Sequence, residues 1–453
     1  MESSSCGPER SSGKNDSHWQ AHGEFVTLVG LEIRMVRLFL HLLIVAVPFY
    51  AHTSILAQED VPMKAQWSCC PHLQPTDQER GRQAVQEGRV AVVLLAGGQG
   101  SRLGRPCPKG CFPVTALRQA SLFQCFAERL LAAQTALGGT APLCVWTNTE
   151  HQAEVEQFWQ DHHYFGLNEA QVTFVVQPER PILDEQCCPV KNQAGQVITA
   201  PDGNGSLWRH LEHTGLLKTW DAQGVRSIHV VPIDNVFAEP LELTAFGVLE
   251  GGNVQAVLLS IPRQHPTERV GVLLPDELCI AEYIELPAKA QGDEGCHAYP
   301  EAFSGLQTWS LAFARACAGR EMPIHRARKN VVVDGTSRPV WKEEFFLFDL
   351  LAGEPCVGYM PVVREARFAP LKSLDGPDGL VDVQAAMEKR ARQQATQRGI
   401  PEIALVRECT ASVEWAAPGV PVVLSPEGLL DVLRSGEDST RQQETMVVSG
   451  GAL

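Results

Sequence analysis

The chain has 453 residues, more than one average domain, which predicts a large core domain with smaller additions. Its 44 % hydrophobic and 20 % charged residues are ordinary globular composition, enough for a sizeable core. With 53 acidic against 38 basic side chains, the net charge of −15 argues against a general nucleic-acid binder but leaves room for local cations around a phosphate.

The 14 cysteines are scattered, include the adjacent pairs Cys69-Cys70 and Cys187-Cys188, and form no disulfide framework. Cys107 and Cys111 come nearest to a metal-ligand spacing, but no second pair follows them, so reduced thiols are expected.

In chain order, Met1–Ser17 is polar and Ser/Gly-rich and reads as disordered. Leu38–Ala57 (LFLHLLIVAVPFYAHTSILA) is an apolar run preceded by Arg37. It reads as a signal peptide, a marginal membrane anchor, a buried or interfacial helix, or sequence upstream of the true start. Gln78–Glu87 is a helical stretch. Arg89–Ala96 (RVAVVLLA) is a continuous apolar run, as expected of a parallel strand covered on both faces.

A Gly-rich loop follows, then a helix over Ser121–Leu137. It sets Leu122, Phe123, Phe126, Leu130 and Leu131 at helical spacing behind Ser121 as N-cap. Leu143–Thr147 is a strand, Glu150–His163 a helix, Val172–Gln177 a strand and Leu207–Gln223 a helix. Ser227–Asp234 (SIHVVPID) is a strand ending in an acid, and Asn253–Ile261 continues the series. Strands alternating with helices predict an α/β domain with a mostly parallel sheet. From Arg269 the texture shifts to short strands, Val270–Leu274 and Leu278–Ile284. A hairpin over Asn330–Trp341 turns at Asp334-Gly335. After a Gly/Asp-rich linker come a helix around Val383–Gln397 and a β-rich tail to about Leu424.

The strongest signal is Leu94–Gly110, LLAGGQGSRLGRPCPKG. A buried strand runs into Gly97, Gly98, Gly100 and Gly104, with Arg102 and Lys109 in the same loop. Glycines let backbone N–H groups approach phosphate oxygens, and the cations add charge-assisted hydrogen bonds. Two common phosphate loops fail on spacing. A Walker A loop needs Gly-Lys-Ser/Thr, but Lys109 precedes Gly110 and Cys111. A dinucleotide fingerprint needs G-x-G-x-x-G, and Gly104 lies one residue too far. Other candidates read blandly alone. Ala200–Gly205 (APDGNG) is a tight turn, Asp234-Asn235 a turn or helix cap, and an isolated Lys342 or Lys372 solvated surface.

Taken with these neighbours, the loop resembles the signature of UDP-sugar pyrophosphorylases. The likeness is greatest to the UDP-N-acetylhexosamine branch and its bacterial uridylyltransferase relatives, in order from Gln78 to about Asp375. The resemblance implies a Rossmann-like nucleotide-diphospho-sugar transferase core with a small C-terminal β-rich extension. It also implies Mg²⁺ as cofactor, and UTP and a sugar 1-phosphate as substrates. It gives Gly97, Gly98, Arg102 and Lys109 the UTP phosphates, with Arg102, Lys109 and Lys372 as the catalytic cations. Gln177 matches the residue that reads uracil, Gly203 the one packed beside it, and Asn204 one reaching the nucleotide–sugar side. Asp234 falls at the metal-binding acid, Gly271 and Glu282 at sugar-binding positions, and Lys342 at a lysine facing the phosphates.

One departure stands out. The family places Asn-Ala-Gly-Asn where this chain has Phe303, Ser304, Gly305 and Leu306. The second Asn bonds the sugar in the hexosamine enzymes, Leu306 cannot, and Gln307 or Thr308 are the shifted substitutes to consider. Either N-acetylglucosamine 1-phosphate or glucose 1-phosphate is therefore open as the acceptor.

The expected organisation is a tail at residues 1–60, a nucleotidyltransferase domain at 61–375 and a helical and β-rich extension at 376–453. No nucleic-acid partner is expected. UTP is a cytosolic metabolite, so the expected location is cytoplasmic, with anchoring by Leu38–Ala57 the alternative. Direct displacement needs no covalent nucleophile, and Cys111 has no paired His in the sequence. The rival function is a non-catalytic UDP-sugar-binding or regulatory protein on the same fold.

Overall fold

The computed structural model describes residues 66–69, 75–98, 100–104, 107–116 and 118–397, and places strands at 413–417, 420–424 and 430–432. The expectations for Met1–Ser17 and Leu38–Ala57 lie outside the described residues. Lys64–Leu453 form one compact unit. No helix among the described residues is long and apolar enough to cross a membrane.

The strands are β1 Ser68–Cys69, β2 Val90–Leu95, β3 Leu143–Thr147, β4 Val172–Val176, β5 Glu179–Pro181, β6 Thr199–Pro201 and β7 Ser227–Pro232. They continue with β8 Ala256–Pro262, β9 Val272–Leu274, β10 Cys279–Ala281, β11 Glu301–Ser310, β12 His325–Val333, β13 Thr336–Glu344 and β14 Val357–Pro361. A separate antiparallel sheet holds β15 Val413–Ala417, β16 Val420–Leu424 and β17 Leu430–Val432. The helices are α1 Pro75–Gln86, α2 Leu122–Leu137, α3 Gln152–Asp161, α4 Leu207–His213 and α5 Leu216–Ala222. Then come α6 Leu243–Glu250, α7 Gly292–Ala298, α8 Leu311–Cys317, α9 Arg364–Arg367 and α10 Leu380–Gln397.

The central sheet runs β1-β14-β8-β11-β7-β2-β3-β4. Every pairing along it is parallel except those of β11, which is antiparallel to β8 and to β7. Because both faces are covered, the inner parallel strands β2, β3 and β8 are buried and almost wholly apolar rather than alternating. Val92 and Leu94 of β2 join Phe123, Leu130 and Phe246 in one layer, and Ala91 and Val93 join Trp208, Trp220 and Trp309 in the other.

Local chemistry explains the ends of several elements. The Ser121 hydroxyl accepts from Gln124 N at the start of α2, and Gly138 closes that helix at φ 74°. The hairpin expected at Asn330–Trp341 is β12–β13, paired from His325 to Glu344. Its turn takes positive φ at Asp334 (51°) and Gly335 (78°), which matches the strand twist. The single helix expected over Leu207–Gln223 is two, because Gly215 at φ 80° breaks it. The strand expected over Leu278–Ile284 shortens to β10. Leu278 sits at φ 54°, and a turn from Glu282 to Glu285 follows.

Strand β11 does not look like a central strand in sequence, since Ser304, Gly305, Gln307 and Thr308 interrupt it. Its polar groups are met by buried partners, two of them on other strands of the sheet. The Ser304 hydroxyl donates to Leu259 O at 2.6 Å, Thr308 Oγ1 pairs with His229 Nδ1 at 2.8 Å, and Trp309 donates to Gln307 at 3.0 Å. Buried polar groups are tolerated when bonded in this way.

Candidate active site

The parallel strands carry their carboxyl ends to one edge of the sheet, where ligands of open α/β folds bind. The loop after β2 turns through left-handed glycines, Gly100 at φ 59° and Gly104 at φ 66°. It comes back at Lys109, whose Nζ donates to Asp234 Oδ2 at 3.0 Å. Asp234 lies two residues beyond β7. Thus two motifs 125 residues apart meet as an ion pair, mostly shielded from solvent.

A cavity of about 830 Å³ opens over this pair. Gly97, Gly98, Arg102 and Lys109 line it from the loop, and Gln177, Gly203 and Asn204 from the side of β4 and β6. Asp234, Lys342 and Lys372 complete the predicted residues found there. Gly271 and Glu282 are outside its lining. The cavity residue Lys372 links to both regions: its Nζ donates at 3.4 Å to the carbonyl of Arg269, two residues before Gly271, and its charge bears on Glu282. A second opening of about 600 Å³ runs along β4 and shares Gln177 with the first.

Gln177 is held at the end of β4 by its own N–H on Thr147 O and by its Oε1, which accepts from Trp146 Nε1 at 3.1 Å. That leaves the amide N–H₂ for a ligand carbonyl. A Cβ on Gly97 would stand 2.8 Å from the Gln177 amide, so glycine here leaves that amide its place. Asn148 Nδ2 donates to Gly97 O at 2.8 Å and ties the loop to the end of β3. Gly203 (φ 89°) passes so close to the chain that a Cβ would be 2.3 Å from Phe345 O. Asn204 uses its side-chain oxygen on Leu347 N at 2.9 Å, so only its amide N–H₂ is left for substrate.

The cations differ in their ties. Lys342 is on Glu344 at 2.8 Å and Lys372 on Asp378 at 3.2 Å. Lys329 of β12 also lines the cavity, and among the described residues neither it nor Arg102 has an ion-pair partner. Sequence reasoning missed Trp146, Asn148 and Lys329. Trp146 and Asn148 carry the only advance signal, since they flank the carboxyl end of a predicted strand.

The sequence profile of the UTP–glucose-1-phosphate uridylyltransferase family matches residues 52–381. The chain belongs to this family. It is 30 % identical over 318 residues to UDP-N-acetylglucosamine diphosphorylase 2 of Arabidopsis thaliana, covering 65 % of this chain and 63 % of that protein. It is 29 % identical to the human UDP-N-acetylhexosamine pyrophosphorylase-like protein 1, covering 66 % and 64 %. The chain therefore spans less than two thirds of the length of these relatives. Among solved structures, the uridine diphosphate N-acetylglucosamine pyrophosphorylase of Trypanosoma brucei superposes with a TM-score of 0.65 at 27 % identity, over 74 % of this chain and 71 % of that one. The UDP-glucose pyrophosphorylase of Leishmania major shares the fold, with a TM-score of 0.55 at 17 % identity over 71 % and 69 %.

Within this family fold, the departing segment at 303–306 is a bulge in β11 where the pairing with β8 shifts. Leu306 has no exposure and packs among Val231, Val257 and Leu259, so its side chain faces the core and not a ligand. Gln307 and Thr308 are equally buried, with Gln307 Oε1 accepting from Trp309 Nε1 and Thr308 Oγ1 paired with His229, so of the shifted substitutes only the Gln307 N–H₂ is uncommitted. Phe303 is the member of the segment beside Gly271, with Phe348 edge-on at 6.1 Å. An asparagine at 306 would bury an amide among aliphatic groups, at about 1–3 kcal/mol when unpaired. Leu306→Asn should therefore lower the urea midpoint without changing sugar preference, and a parent-like midpoint would place this side chain outside the core.

Burial pushes the Cys111 thiol up to about 12, so the thiolate needed of a nucleophile is not available near neutral pH. Among the described residues no three His, Cys, Asp or Glu side chains gather as a metal cage, Cys107 and Cys111 included.

Proposed function

We propose that this chain transfers UMP from UTP to a hexose 1-phosphate, releasing pyrophosphate and forming a UDP-sugar. The observation that carries the reading is the Lys109–Asp234 pair. It lies on the cavity wall between an amide placed to read a base, Gln177, and the further cations Arg102, Lys342 and Lys372. Phosphoryl-type transfer requires positioning and charge neutralisation rather than a covalent nucleophile. In this arrangement the Gly97–Gly98 backbone and Arg102 hold the triphosphate, Lys109 meets charge at the reacting phosphate, and Lys372 orients the acceptor phosphate.

Mg²⁺ is the cofactor we assign, with Asp234 as its protein ligand. A single carboxylate fits this ion, which characteristically takes one or two carboxylates and completes its shell with phosphate oxygens and water. Bound there, it would neutralise charge on the phosphates. The substrates are cytosolic metabolites, which puts the activity in the cytoplasm.

The names of the relatives favour N-acetylglucosamine 1-phosphate as acceptor. Against strong selection for it, the segment Phe303, Ser304, Gly305 and Leu306 offers no side-chain amide, and the Ser304 hydroxyl is committed to Leu259 O. A site that hydrogen-bonds a substrate group discriminates steeply, and one that does not discriminates weakly. We expect turnover of both N-acetylglucosamine and glucose 1-phosphates, with a ratio of kcat/KM values well under a thousandfold. The test is pyrophosphate release from UTP across a panel of sugar 1-phosphates and nucleotides. UDP-sugar binding without pyrophosphate release would favour a regulatory binder and overturn the enzymatic reading.

A further inference from the structure

Next to the cavity, three elements meet around one histidine. His325 opens strand β12, and its ring is largely shielded from solvent. Its Nδ1 lies 3.1 Å from Glu285 Oε2, in the turn after β10, and its Nε2 lies 2.9 Å from Asp349 Oδ2, in the segment after β13. Phe346, which lines the cavity, covers the ring at 4.6 Å. Glu282 stands in the same turn as Glu285. Across the hairpin His325 faces Glu344, which is held by Lys342, while Arg326 is spent on Glu343. The charged groups around the imidazole are thus Glu285, Asp349, Glu282 and the Glu344–Lys342 pair, with Lys372 bearing on Glu282 from the cavity side.

A neutral imidazole has one N–H and one lone pair, so it can donate to one carboxylate only and must turn its lone pair on the other. Both contacts are hydrogen bonds only when the ring is an imidazolium. Burial alone would lower its affinity for a proton, yet Glu285 and Asp349 hold it above the ordinary histidine value.

We propose that the imidazolium of His325 is a positioning residue. It clamps the β12–β13 hairpin to Glu285 and Asp349, and so sets Glu282 for the sugar phosphate and Lys342 for the nucleotide. This deepens the function proposed above and rests on it for the sugar. Loss of the proton leaves Glu282, Glu285 and Asp349 as three neighbouring acids facing an incoming dianion, with Lys372 the remaining cation beside them. Sugar-phosphate binding, more than UTP binding, therefore depends on that proton. The sign follows from the raised proton affinity. The clamp is complete below the unfolded histidine value of about 6.5 and is lost as pH rises through the higher folded value.

The experiment uses the full chain, each substrate varied at a saturating level of the other, from the ordinary histidine value of about pH 6.5 up to about 9.5, where a phosphate monoester is mostly dianionic. The parent KM for the sugar 1-phosphate should rise roughly tenfold across the range, while KM for UTP changes far less. His325→Gln should show the raised sugar KM at every pH, and His325→Arg, a permanent cation, should keep it low at the alkaline end. Separately, the ring of the ligand-free parent, assigned in NMR by comparison with His325→Gln, should titrate above about 6.5. A flat parent KM, or a ring that titrates at or below the ordinary value, overturns the proposal. A parent inactive on every sugar 1-phosphate would sink the function reading and the sugar half with it; the clamp then stands or falls on the ring titration.

Discussion

Lys109→Ala should lower kcat/KM for UMP transfer by roughly tenfold to a hundredfold or more, since a hydrogen bond to a charged group is worth about 1.5–3 kcal/mol. The loss has two parts. The ammonium no longer meets the phosphates, and the carboxylate of Asp234, 3.0 Å away in the parent, is left uncompensated in front of a polyanion. For that reason the effect should exceed that of a cation with no acid beside it, such as Arg102. Asp234→Asn keeps the shape, removes the anion, and should both depress turnover and raise the Mg²⁺ concentration needed. Because the two side chains touch, Lys109→Ala and Asp234→Asn together should cost less than the sum of the separate losses, with a coupling of about 0.5–3 kcal/mol. Initial rates over a Mg²⁺ titration check all three variants. Parent-like turnover in Lys109→Ala removes the lysine from the chemistry, and a Mg²⁺ curve for Asp234→Asn that overlays the parent's removes the metal from that acid.

Gly247→Ala should destabilise the fold by about 3 kcal/mol, the upper part of the range for overpacking a filled interior. Helices α1 and α6 touch backbone to backbone: a Cβ on Gly247 would stand 1.7 Å from Asp77 O, and one on Gly81 1.8 Å from Leu243 O. Neither obstacle is a side chain that could rotate away, so the helices must separate and uncover the apolar layer beneath. The gain from replacing a helical glycine with alanine, roughly 0.5–1 kcal/mol, offsets only part of this. Urea denaturation reads the result as a lowered midpoint. Gly319→Ala is the control, since a Cβ there meets nothing within 4 Å and the change should be nearly neutral. A Gly247→Ala midpoint at or above the parent's would show that the two helices do not pack this closely.

Much of the sheet was legible because its signals are local. An apolar run such as Arg89–Ala96, short and followed by glycines, reads as a strand covered on both faces, and Asp334-Gly335 supplies the two positive φ values a tight hairpin needs. Ser121 marks a helix start through a bond three residues on. The glycines and cations of Leu94–Gly110 were likewise readable within one loop, and their resemblance to the family brought in Gln177, Gly203 and Asp234. The segment at 303–306 reads in sequence as a departure from the family pattern, but the directions its side chains take were not legible there. Nothing local says that Leu306 turns into the core while Phe303 takes the side of Gly271.

What the sequence determined by itself was the class of fold, the Gly-rich loop after β2 and the candidates around it, since periodicity, turn chemistry and glycine spacing act over a few residues. What the tertiary structure alone decided was which of these meet. Lys109 finds Asp234 across 125 residues, Asn148 ties down Gly97, and His325 joins Glu285 to Asp349. Strand β11 enters the middle of the sheet, reversed, because Ser304 and Thr308 find Leu259 O and His229 there. Each of these is a hydrogen bond or ion pair between elements distant in sequence. Its free energy depends on shielding and geometry that exist only once the layers have closed over it.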